Sequence, residues 1–185
     1  MSPTRGALGL TALLFVAAGG GWLYWFVTRH GFSAREKPTR VEAFLARRAR
    51  DLATPAGAKR LSNPLPSSPL NVAEGRDHFA DHCALCHAND GSGKTMINGG
   101  LYPPAPDLRE DTTQHLSDGE VLYIIKNGIR FTGMPGWAGD DEDNWKLVLF
   151  IRHLRDLSDK ELELMKEING LDTHVAQGEE THDER

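Results

Sequence analysis

One pentapeptide, Cys83-Ala84-Leu85-Cys86-His87, restricts this chain more than any other stretch. Two thiols three positions apart, followed at once by an imidazole, form the attachment signature of a covalent c-type haem. At the start of one helical turn, each thiol can reach one vinyl group of the porphyrin. The next residue, His87, then stands beneath the iron as the proximal ligand. Three other chemistries draw on the same residues. A thioredoxin-like dithiol needs a strand-to-helix turn within an α/β pattern, and no strand-rich run precedes Cys83. Zinc has His78, His82, Cys83, Cys86 and His87 to choose from, but a structural zinc site usually takes its second ligand pair from a distant loop. Here both cysteines of the chain lie in one motif. A disulfide would close a very small loop and constrain little. Haem fits best, with zinc and a redox dithiol as the alternatives.

The 185 residues suffice for one modest domain with appendages, and no cysteine lies outside the motif to build a disulfide scaffold. The net charge of −5 hides a division. Residues 1–70 carry 10 Lys/Arg and 3 Asp/Glu, whereas residues 71–185 carry 11 and 23. A basic stem is joined to an acidic domain, and the two should meet different partners.

The stem opens with an apolar stretch from Ala7 to Val27, and about twenty such residues cross a bilayer. Trp22, Tyr24, Trp25 and Phe26 cluster at its far end, as in an aromatic belt. A cleaved signal is the alternative, with small residues at Ala17-Ala18-Gly19-Gly20. The apolar and aromatic run beyond that point favours an uncleaved anchor. Arg29, Arg35, Lys37, Arg40, Arg47, Arg48 and Arg50 follow the span, and charge bias alone would keep them in the cytoplasm.

Thr39 and Glu42 form a capping box that predicts a helix. Val41, Phe44, Leu45, Ala49 and Leu52 share one face of it, with Arg48 near the edge. Such a basic amphipathic helix suits a lipid surface; packing on a partner subunit or on the haem domain is the alternative. From Ala53 to Pro69 the chain is rich in Pro, Ser and Asn, which predicts a semi-rigid linker.

Beyond residue 71 the pattern predicts helices over about 72–80, from Ser117-Asp118-Gly119-Glu120 to Asn127-Gly128, from Asp140–Asp143 to about Leu154, and from Ser158 to Asn169-Gly170. Residues 173–185 read as a polar, acidic tail. The sixth iron ligand must come from elsewhere. Met134, in Gly133-Met134-Pro135-Gly136-Trp137, is the best placed. A thioether is a soft, uncharged ligand, and a loop of glycines and proline is a poor place for a core gap-filler. Met96 and Met165 are the competitors.

From about residue 71 to 155 the chain resembles the class I mono-haem cytochrome c domain. The resemblance rests on Cys83-Ala84-Leu85-Cys86-His87, Pro103-Pro104-Ala105-Pro106-Asp107-Leu108, Gly133-Met134-Pro135 and the helices at either end. It implies an all-α fold around one covalent haem c, here preceded by a single transmembrane helix. It also implies that a proline carbonyl, best matched by Pro106, accepts a hydrogen bond from the proximal His87. The first and last helices should cross through Gly75 and Phe79 facing Leu147 and Phe150. Haem attachment outside the cytoplasm implies a domain on the periplasmic side of the cytoplasmic membrane, against the charge bias.

The expected division is an anchor over 1–28, a basic helix and linker over 29–70, a haem domain over 71–157, and a short helix and acidic tail over 158–185. The expected role is a membrane-anchored single-electron carrier of a respiratory or related chain, not an enzyme, with His87 and Met134 on the iron and Cys83 and Cys86 as attachments. A quinol-oxidising complex or dehydrogenase would feed it and a terminal oxidase would drain it; nucleic acid is not among its partners. The alternatives are a fixed haem subunit of a larger membrane complex, or a haem sensor or enzyme, which needs an open iron position that Met134 would fill.

Overall fold

The computed structural model describes residues 3–30 and 33–171. The acidic tail expected over 173–185 lies outside these residues. Among them the secondary structure is helical, with no strand. The chain divides into two units, residues 1–36 and 37–185.

The first unit is one helix, α1 (Pro3–His30). Its segment Leu8–Arg29 is long and apolar enough to cross a membrane, and its side chains are unburied by protein. Trp22 and Phe26, one turn apart, stack with ring centroids 5.5 Å apart.

The second unit begins with α2 (Arg40–Ala53) and a single turn, α3 (Ala56–Lys59). The capping box read from Thr39 and Glu42 is formed: Thr39 Oγ1 accepts from Glu42 N, and Glu42 Oε2 accepts from Thr39 N. Within the semi-rigid linker expected over 53–69, residues 54–65 lie against the helical domain. The carbonyl of Leu61 accepts a hydrogen bond from Gly119 N (3.2 Å), Asn63 Nδ2 donates to Trp145 O (2.9 Å), and Leu65 packs on the core. Gly119 makes this approach possible, since a Cβ there would stand 1.9 Å from Ala58 O. Proline and serine richness signals a chain without regular structure, not a chain without partners.

Next come α4 (Pro69–His82), α5 (Ala84–His87), α6 (Asp111–Gln114), α7 (Asp118–Asn127), α8 (Asp141–His153) and α9 (Asp159–Asn169). The first of these starts earlier than expected because Ser68 caps it, accepting from Asn71 N, and Pro69 takes the first turn, where no N–H is needed. Capping boxes at Ser117/Glu120 and Ser158/Glu161 open α7 and α9 as expected, and Asp140 caps α8.

The core lies where α4 and α8 cross. Gly75 meets the α8 backbone, and a Cβ there would stand 2.1 Å from Lys146 O. The close approach buries Phe79, Leu147, Val148 and Phe150, and the Phe79 and Phe150 rings lie 5.2 Å apart. Each such side chain contributes roughly 1.5–3 kcal/mol of transfer free energy.

The last helix belongs to the same core. Met165 on α9 is fully buried. Asn169 donates from Nδ2 to Ala80 O (2.8 Å) and to Asn89 Oδ1 (2.7 Å), while Asn89 Nδ2 donates to Leu171 O (3.0 Å). Packing therefore carries the helical domain past residue 157.

Candidate functional site

Cys83, Cys86 and His87 are set by a helix junction. Cys83 closes α4, its N–H donating to Phe79 O (2.8 Å), and its carbonyl accepts from Cys86 N (3.2 Å) and His87 N (3.0 Å) as α5 begins. The tight turn brings both thiols and the imidazole into one short helix. Both cysteines are free. Burial pushes the Cys83 thiol up to about 12, with Cys86 adding to the effect, and burial raises Cys86 as well. Redox dithiols work through a lowered thiol pKa, so this environment runs against that alternative. Among the described residues, no group of three His, Cys, Asp or Glu side chains converges as a metal-holding set, which runs against the zinc alternative.

His87 is 9% exposed. Burial lowers its pKa, and the Pro106 carbonyl acts in the opposite direction. Burial, the larger effect, favours the neutral ring, the form that ligates a metal. Nδ1 is buried with no hydrogen bond formed, and the Pro106 carbonyl is near enough to act on the ring. A small closure of the Pro106 loop would satisfy it and fix the ring.

That loop is organised by Asn98, a residue the sequence alone does not single out. Its amide donates to Ala105 O (3.1 Å) and to Gly93 O, and its Oδ1 accepts from Ala105 N (2.5 Å). Gly93 N in turn donates to His87 O (2.8 Å). Arg109 ties the two sides of the loop together, bonding Asp107 (2.7 Å) and Asp90 (3.2 Å), and it holds the Asp107 carboxyl below the usual range. Leu108 N donates to Gly91 O (2.8 Å). A side chain with both a donor and an acceptor, between two glycine-rich turns, was the signal available.

Met134 lies on the loop between α7 and α8 and is half-buried. Its carbonyl accepts from Ile129 N (3.1 Å) and its N–H donates to Thr132 Oγ1 (3.1 Å). Gly128, at φ +66°, allows the close return, since a Cβ there would stand 2.6 Å from Met134 O. Phe131 on this loop has φ 62° and is 93% exposed. A bulky residue in the left-handed region is uncommon and is retained where surroundings impose it. The competing methionines sit elsewhere: Met165 is in the core and Met96 is 93% exposed. Trp145 is a core residue, and Trp137 packs on the core with its ring 5.2 Å from His82.

These residues fit a covalently held haem. Two free thiols at the required spacing stand beside a neutral imidazole, and a thioether lies on a separate loop. Leu85, Ile97, Tyr102 and Phe131 leave apolar surface exposed on the motif and on both loops, of the kind a flat apolar group covers. Two clefts, one near His78 and one near Ser68, are lined by none of Cys83, Cys86, His87 or Met134.

A family model described as "Cytochrome C oxidase, cbb3-type, subunit III" matches residues 70–151. Over 93 residues the chain is 37% identical to a thiosulfate dehydrogenase of Stutzerimonas stutzeri (strain A1501), covering 48% of this chain and 29% of that protein. It is 33% identical over 96 residues to a protein named Cbb3-type cytochrome c oxidase subunit FixPc of Rhizobium leguminosarum bv. viciae, covering 48% and 30%. Over 106 residues it is 24% identical to quinohemoprotein alcohol dehydrogenase ADH IIB of Pseudomonas putida, covering 55% and 14%. The chain spans no more than 30% of the length of any of these three relatives.

Proposed function

We propose that this chain, whose residues 70–151 form a c-type cytochrome domain, is a membrane-anchored one-electron carrier and not itself a catalyst. The observation that carries the reading is the α4–α5 junction, with free Cys83 and Cys86 beside a buried, neutral His87. When bound, the haem iron supplies the one-electron couple. Cys83 and Cys86 would hold the group through thioethers. His87 and Met134 would ligate its iron, with Pro106 orienting His87. A neutral sulfur ligand favours the ferrous state and raises the potential. The exposed apolar side chains around the motif exclude water from the group once covered.

Residues 8–29 anchor the chain, and the haem domain faces the periplasm, where haem is attached. The partners are an electron-donating dehydrogenase or quinol-oxidising complex and an accepting oxidase. The names of the relatives, a thiosulfate dehydrogenase and a cbb3-type oxidase subunit, are consistent with this kind of pairing. A second reading, a fixed haem subunit within a larger membrane complex, is favoured by one observation: residues 54–65, within the expected semi-rigid linker, pack on the domain, which shortens any swing.

The test is the mass and redox chemistry of the purified full chain. One covalent haem should add to its mass and survive acid–organic extraction, and Met134→Ala should lower the midpoint potential and open the ferric iron to added imidazole. A haem-free mass overturns the cofactor assignment, and an unchanged potential in Met134→Ala overturns the distal ligand.

A further inference from the structure

Helix α2 wears its amphipathicity inside out. At 100° per residue, Val41, Phe44, Leu45 and Leu52 fall on one stripe. In a globular protein such a stripe normally packs on the core. Here the four residues are 66, 51, 58 and 85% exposed, and no residue of α2 is buried. The residues that are partly covered are Ala43 and Arg50, on the opposite side, and Asp51, at the edge of the stripe. Polar ties, not apolar packing, join the helix to its surroundings. Tyr102 OH donates to Glu42 Oε1 (3.1 Å), and Lys59 pairs with Asp51 (2.6 Å). Arg48 falls within the same arc, and its guanidinium lies 5.4 Å from the Phe44 ring centroid, so its stem extends the stripe while its charged end can reach out to the headgroups.

We infer that α2 binds flat on an anionic lipid surface, its apolar stripe in the headgroup boundary and its arginines on the lipid phosphates. This rests on the reading of residues 8–29 as a membrane span. Two facts choose lipid over a protein partner. Between Arg29 and Arg50 there are seven basic and two acidic residues, the charge balance of an interfacial helix on acidic lipid. Only nine residues, 31–39, separate α1 from α2, and fully extended they span about 30 Å. The bilayer face is therefore the surface α2 meets at high effective concentration. Because Tyr102 belongs to the loop that also carries Pro106, a lipid-bound α2 holds the haem domain close to the membrane. It restricts electron exchange to partners at that surface.

Hydrogen–deuterium exchange on the full chain tests this, in detergent, in discs of phosphatidylcholine, and in discs that also contain phosphatidylglycerol. Exchange in residues 41–53 should slow at least tenfold on the anionic discs relative to detergent, and less on the neutral ones. Replacing Phe44 and Leu45 together by Glu should abolish the slowing while the near-ultraviolet dichroism of the haem domain stays unchanged. Equal exchange in all three media, with residues 8–29 protected, overturns the inference and leaves the anchor standing. Equal slowing on both disc types overturns the anionic assignment. Slowing already present in detergent, with two copies per particle by mass, overturns it in favour of a second copy of the chain. Fast exchange in residues 8–29 with α2 still slowed on anionic discs rejects the anchor and supports the lipid contact.

Discussion

Replacing Gly75 by alanine probes the contact on which the helical domain depends. The new Cβ would stand 2.1 Å from Lys146 O, 2.6 Å from Lys146 C and 3.2 Å from Leu147 N, where ordinary contact begins at 3.4 Å. All three atoms are backbone, so no rotamer change can relieve the overlap, and α4 and α8 must part by about 1 Å. A gap of that size forfeits a quarter to a half of each dispersion contact across it. Phe79, Leu147 and Phe150 straddle the crossing and are essentially fully buried. At roughly 1.5–3 kcal/mol for each such side chain, the loosened packing and the residual strain together cost about 3–5 kcal/mol. Alanine is the better helix former by about 1 kcal/mol, which leaves a net loss of about 2–4 kcal/mol. Guanidinium denaturation of the full chain in mild detergent measures this, followed by near-ultraviolet dichroism, to which a detergent-held α1 contributes a constant background. With a slope of about 4 kcal/mol/M, the midpoint should fall by roughly 0.5–1 M. Gly57→Ala is the control, since nothing lies within 4 Å of that position, and it should raise stability by about 0.4–1 kcal/mol. A Gly75→Ala midpoint at or above that of the parent would refute the close crossing.

Asn98→Ala should cost about 2–3 kcal/mol, because it strips partners from Gly93 O, Ala105 O and Ala105 N in one step. On the proposed reading, freeing the Pro106 loop would also keep its carbonyl from closing on His87 in the haem-loaded protein and so raise the potential, since a less basic imidazole stabilises ferric iron less; redox titration reads the second effect independently of the first. For His78, burial is the main cause of a folded-state pKa below 6.5; the charge of His82 adds to it, and Asp143 and Asp81 oppose it. Unfolded chains therefore take up the proton first, so its contribution to stability is intact above pH 6.5 and is lost as the pH falls below that value. Denaturation midpoints between pH 7.5 and 5 should decline less steeply in His78→Gln than in the parent, and parallel curves would count against this assignment.

Much of the molecule is legible in order along the chain. Thr39, Ser117 and Ser158, each followed by Glu three residues later, announce three helix starts that the structure forms. A capping box is a local hydrogen-bond pattern, complete within four residues, so no tertiary information is needed to read it. The same holds for the Cys83–His87 spacing and for the apolar length of α1. The α4–α8 crossing was also anticipated, because the resemblance supplied the pairing that periodicity alone lacks.

Other features escaped because their cause lies far away in sequence. Asn98, Asn169 and Asn63 look like ordinary loop or helix-end residues until Ala105, Ala80 and Trp145 arrive beside them. The Pro-rich segment read as a linker because composition reports the absence of regular structure, whereas its docking depends on Gly119 being small enough to admit it.

What the sequence determined by itself is thus whatever is closed over a few residues: helix starts, the membrane-length span, and a thiol–thiol–imidazole constellation that fits haem. What only the tertiary structure decided is direction and neighbourhood. Amphipathic periodicity says that α2 has an apolar face, but not which way it turns. Burial of a face is a property of the surfaces that surround it, and those are assembled from residues tens of positions apart.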